Sequence, residues 1–198
     1  MEMINKKAAV IGIAGAALYF VSVSLFIATQ NDILLTLWEL MTVFGAVLEL
    51  VVLLHIADRN GLEGSYLTLL KIFLSGTLIL TSAAHFTSIG VIRPLAADGK
   101  CIPDWLKIGN FPSLEMTVDY TAWGFFMGAA LLVLALGTKN KGLRNISAVS
   151  AVLCFAGFVG SFFNENLRYP APIGYGFGFP VMCILLLTQN KKTKVVDK

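Results

Sequence analysis

Apolar residues run through this chain in blocks, separated by short polar or proline-bearing stretches. The blocks cover residues 8–28, 33–56, 66–91, 117–137, 145–163 and 169–189. A hydrocarbon core ~30 Å thick needs about 20 helical residues to cross it, and each block is long enough. The pattern predicts an all-α integral membrane protein, one domain over residues 1–198 built as a bundle of six transmembrane helices. The first block follows Lys6 and Lys7, as the core of a signal peptide would. It is longer than such a core and lacks a convincing cleavage motif, so a retained helix is expected.

Polar residues inside these blocks carry the functional expectations. The third block holds Lys71, Ser75, Thr81, Ser82 and His85. At ~100° per residue, Lys71, Ser75, Ser82 and His85 share a sector about 80° wide. An ionisable group in hydrocarbon needs a partner or water, which makes this stripe a candidate site. In the second block Glu39, Thr42, Ala46, Glu49 and Leu53 share a similar sector, so both carboxylates are expected to look the same way. With a rise of ~1.5 Å per residue, Glu49 and Lys71 come to the same depth, and an internal ion pair fixing helix register is expected. Glu39 and His85 come level near the opposite face.

Beyond His85 lies the longest loop, residues 92–116, where Pro94, Pro103 and Pro112 are expected to break any continuous helix. Within it Trp105, Leu106, Ile108 and Phe111 suit either a lid or an interfacial anchor. Ser113 is placed to cap the fourth helix, with Glu115 in its first turn and Asp119 one turn deeper. Gly124 and Gly128 form a packing face on the far side of that helix. In the fifth block Ser147, Ser150, Cys154, Gly157, Ser161 and Asn164 trace a stripe of mostly small residues, read as close packing. The sixth carries Gly174, Gly176, Gly178 and Pro180, which predict a kinked or locally opened helix. The candidate binding residues are therefore His85, Asp119 and Glu39, with Glu115, Asn164, Glu165 and Arg168 around them.

Charge gives the bundle a direction. Lys6, Lys7, Arg59, Lys139, Lys141, Arg144, Lys191, Lys192, Lys194 and Lys198 lie in one alternate set of loops and ends; the other set holds only Arg93, Lys100, Lys107 and Arg168. Ten against four predicts that both termini are cytoplasmic, in a multi-pass protein of the cell membrane. The composition agrees, with 57% hydrophobic and 14% charged residues and a mean hydropathy of +0.77. Topology accounts for the net charge of +3, so no nucleic-acid partner is expected. Membrane lipid is the expected surrounding, and the basic tail 191–198 is suited to anionic headgroups.

Cys101, Cys154 and Cys183 give no disulfide framework. Only two histidines occur, and no HExxH or GxSxG motif, so neither a metal site nor a cofactor is indicated. Three functions remain compatible with the residues. One is binding or transport of a small polar or cationic solute at the outer cluster, with homo-oligomerisation as a way to enlarge a small transporter. The second is an intramembrane enzyme acting on a lipid or apolar substrate, with His85 as acid/base. The third is an accessory membrane protein whose polar groups only join helices.

Overall fold

In the computed structural model, the backbone is described for residues 2–107 and 110–196, and side chains for 6–107 and 110–188. Ile108 and the side chains of the basic tail therefore lie outside the described residues. The helices are α1 (Glu2–Thr29), α2 (Asp32–Arg59), α3 (Gly64–Thr87), α4 (Arg93–Ala97), α5 (Leu114–Tyr120), α6 (Met127–Gly137), α7 (Lys141–Gly160) and α8 (Pro170–Val196). Two π-helical segments, Ser88–Ile92 and Thr121–Phe126, join α3 to α4 and α5 to α6. Among the described residues, six helical stretches are long and apolar enough to cross a membrane, compatible with a helical membrane bundle.

The six spans pack as a closed ring in chain order. Each touches its sequence neighbour, and α8 returns to α1. Short connections enforce this order. Between α1 and α2 only Gln30 and Asn31 intervene, Gln30 with φ of 51° and Asn31 capping α2 through its side-chain oxygen. At the start of the fourth span Ser113 accepts the Met116 N–H at 3.2 Å, the expected cap.

Small residues set the interhelical distances. A Cβ added to Gly12 would lie 2.7 Å from the Cys183 sulfur, and one on Gly15 would lie 2.7 Å from Leu48. This brings α1 against α8 and α2. Gly124 meets Phe158 and Gly128 meets Cys154, so the glycine face of the fourth span lies on α7. The small-residue stripe of α7 is a packing face as well. Ser147, Ser150, Cys154 and Gly157 are buried, with Ser150 against Gly174 and Gly178 and Gly157 against Ala171.

Two expectations about helix breaks are corrected. Of the kinked or locally opened helix expected, the opening does not occur: α8 stays helical through Pro180. Its alternating glycines serve close approach instead, Gly174 and Gly178 to α7 and Gly176 to Phe20 of α1. The third span does not end near Val91 but continues to Ala97. A proline ring collides with the carbonyl four residues before it in an α-helix. The wider π turn over Ser88–Ile92 changes that spacing just ahead of Pro94, and the chain stays helical. Trp105 is exposed rather than packed over the helix ends.

Replacing Gly178 with valine should force α7 and α8 apart at Ser150 and cost about 1–3 kcal/mol. Gly90→Ala, whose new methyl meets nothing within 4 Å, should be close to neutral. Thermal unfolding of the two purified variants in detergent separates these outcomes.

Candidate functional site

The residues that come together lie at the ring end carrying the long loop. His85 is in the last turn of α3, immediately before the first π segment, and Asp119 is in the last turn of α5, immediately before the second. Glu39 reaches them from α2. The His85 Nδ1 lies 3.9 Å from Glu39 Oε1, and its Nε2 lies 3.5 Å from Asp119 Oδ1. The imidazole thus stands between two carboxylates, one on each side of the ring. Both distances exceed those of direct hydrogen bonds, about 2.7–3.2 Å, so each ring nitrogen can still engage a third group.

Burial makes this arrangement consequential. Glu39 is fully buried and His85 is 1% exposed, while Asp119 keeps 17% of its side-chain surface. Trp38 presents an edge to the imidazole with ring centroids 6.2 Å apart, and Phe26 stacks on Trp38 at 5.4 Å. Asp119 is the more open end of the line.

Arg93 completes the cluster. Its guanidinium pairs with the second Glu39 oxygen and donates to the Thr36 hydroxyl, with the Asp32 carbonyl at 3.5 Å. Glu115, 3% exposed, is within electrostatic range of the same guanidinium. Sequence reasoning counted Arg93 only as a loop charge, because Pro94 was read as a helix break. The overlooked signal is that proline also suits the first turn of a helix, which lets the chain stay helical through Arg93.

The expected Glu49–Lys71 pair is not formed. No ion pair joins them, and Lys71 is exposed on the outer surface of α3. Their depths agree, but their directions do not. The buried side of α3 carries Leu70, Leu74, Thr77, Thr81 and Ala84, and only His85, at one edge of the predicted polar stripe, belongs to it. On α2 the shared sector is divided between two neighbours. Glu39 turns toward α3, and Glu49 turns toward α1 and α8.

Asn164 is also outside the cluster. It is exposed, and its side-chain oxygen accepts the Asn166 N–H at 2.8 Å in a turn. Arg168 is occupied nearby. It pairs with Glu165 at 3.1 Å and lies over the rings of Phe111, Tyr120 and Tyr169 at 5.2, 5.8 and 5.5 Å.

Among the described residues, no three His, Cys, Asp or Glu side chains converge as a metal ion would require. The line of Glu39, His85 and Asp119 explains this, since the carboxylates approach opposite nitrogens and do not share a centre. The arrangement can relay a proton between carboxylates or hold a cation beside them.

Lys71→Ala should change stability by less than about 0.5 kcal/mol, as for other surface substitutions. Chemical unfolding of the purified variant checks this, and a larger loss would restore Lys71 to an internal role. No protein-family model matches the chain, and comparison with curated proteins and with solved structures likewise yields no match.

Proposed function

We propose that this is a multi-pass protein of the cell membrane, with both termini cytoplasmic, that binds a small polar or cationic solute at the Glu39–His85–Asp119 cluster and carries it into the bundle. The observation that carries the reading is a surplus of buried negative charge. Glu39 and Asp119 flank His85 with two carboxylates, and of the two only Glu39 is paired with a guanidinium, that of Arg93. A cationic solute beside Asp119 would balance the second. Buried carboxylates without compensation cost several kcal/mol, so such a cluster favours the arrival of a cation.

The partly exposed members point to the route of access. Asp119 and Arg93 retain 17% and 23% of their surface, whereas Glu39 and His85 retain almost none. A solute entering at the loop end meets Asp119 first and the imidazole next. The positive charge concentrated at the opposite end supports the assigned orientation.

One observation favours a lipid-acting enzyme as a second reading. Phe111, Met116, Tyr120, Phe158 and Phe162 line an apolar groove, and Tyr120 directly follows Asp119. An acyl chain lying there would bring a headgroup toward His85.

Reconstituted vesicles should take up labelled methylammonium, and Asp119→Asn and His85→Gln should each reduce uptake by at least about tenfold, a transition-state difference near 1.4 kcal/mol. Equal uptake by the folded variants and the parent would overturn the reading. Lipid turnover abolished by His85→Gln would favour the enzyme instead. For the orientation, an impermeant maleimide added outside intact cells should label Cys101, which is exposed in the long loop, and leave buried Cys154 and Cys183 unmodified.

A further inference from the structure

Deeper in the ring lies a narrow cavity of about 30 Å³, bounded by α1, α2, α8 and the second π segment. A water needs at least ~10–15 Å³ of such space, so one water fits and nothing much larger does. Tyr19, Phe20, Trp123, Tyr175 and Phe179 make most of the wall, and Glu49 is the one carboxyl in it. Glu49 Oε2 is shielded from solvent and has no hydrogen-bond partner. Among the described residues no cation pairs with it, since Lys71 projects from the outside of the bundle. The titratable groups that face it are Tyr19 of α1, Tyr175 and Cys183 of α8 and Cys154 of α7, and none of them can supply a positive charge.

We infer that Glu49 is a proton-binding site inside the bundle, a carboxylic acid that exchanges its proton with the loop end by way of Tyr19 and one water in the cavity. Burial disfavours the charged form of a carboxyl, and a space of this size admits no solute to offset that charge. A proton is small enough, and it leaves the site neutral. Asp119 differs, because solvent reaches 17% of its side chain and it can trade protons with bulk water. Tyr19 connects the two carboxyls: it lines the cavity beside Glu49 and is within electrostatic range of both Glu49 and Asp119. In the exchange step the Tyr19 hydroxyl accepts a proton from the Asp119 side as it passes its own to the cavity water, and that water passes one to Glu49. Each O–H bond broken is matched by one formed. No tyrosinate or hydronium is left, Asp119 becomes the carboxylate and Glu49 the acid.

This site stands apart from the outer cluster. Glu49 lies ten residues beyond Glu39 on α2, about 15 Å along the helix axis. The inference goes beyond the proposed function and needs no solute at the cluster, so the two can fail separately.

The test follows the infrared spectrum of the full-length protein in detergent at neutral pH as H2O is exchanged for D2O. The parent should show the C=O stretch of a carboxylic acid, set apart from the carboxylate bands, which moves to lower frequency as a deuteron replaces the proton. In Glu49→Gln that band should be missing. Tyr19→Phe should keep the band and slow its shift at least about tenfold, since the relaying hydroxyl is gone. Gly45 also lines the cavity, and a Cβ there meets nothing within 4 Å, so Gly45→Ala should slow the shift similarly by taking the place of the water. If Glu49→Gln does not fold, Gly45→Ala decides, because Glu49 is the one carboxyl lining that cavity. A carboxylic acid band undiminished in folded Glu49→Gln would overturn the inference. So would a Glu49 band in the parent that never shifts in D2O, the mark of a sealed, structural proton, or a shift equally fast in the parent, Tyr19→Phe and Gly45→Ala.

Discussion

A positive group within reach stabilises a carboxylate buried on a membrane-type helix, and Glu39 is buried completely. Arg93 provides that group from the far end of the third span. To do so the helix must continue beyond His85 and through Pro94, which it does by widening into a π turn over Ser88–Ile92. The contact therefore ties together the burial of Glu39, the length of the third span and the position of His85. Asp119 then closes the line from the fourth span, again beside a π turn. Irregular helical turns are frequent at functional sites because they redirect side chains without ending a helix. Here they also free backbone groups for side-chain contact: Ala122 O in the second π segment accepts from Thr77 of α3 at 3.3 Å.

The ring has polar groups at two depths, and their surroundings differ. Near the loop end, carboxylates, an imidazole and a guanidinium crowd together, suited to exchanging protons and holding a hydrogen-bonding cation. Deeper in, Glu49 faces aromatic walls with few oxygens. One helix, α2, serves both because its neighbours lie on both flanks of the same sector. The close packing of α7 and α8 supports these sites from behind: Gly174 and Gly178 lie against Ser150, while Tyr175 faces Trp123.

The six spans were legible because apolar length is a one-dimensional property, readable without knowledge of neighbours. Depth was legible for the same reason, and it correctly brought Glu39, His85 and Asp119 together. Azimuth was less so. A stripe from Lys71 to His85 spans about 80° by helical phase, and only the placement of adjacent helices decides which edge is buried. Lys71 fell on the outer side, so its match in depth with Glu49 produced no bond. Arg93 was missed because a proline usually ends a helix, whereas here a local change of helical pitch absorbs it. The glycines of α8 were likewise read as a weakness, and they prove to be contact points whose role depends on Ser150 and Phe20 from other spans.

The Glu39–Arg93 contact is the claim on which the cluster rests, and a double-mutant cycle measures it directly. In the full-length protein, Arg93→Gln strands the buried carboxylate and is expected to cost about 3–5 kcal/mol of unfolding free energy. Adding Glu39→Gln removes the stranded charge and should recover most of that loss, giving a large coupling energy between the two positions. Strictly additive effects, with the double variant as unstable as the sum of the singles, would contradict the account.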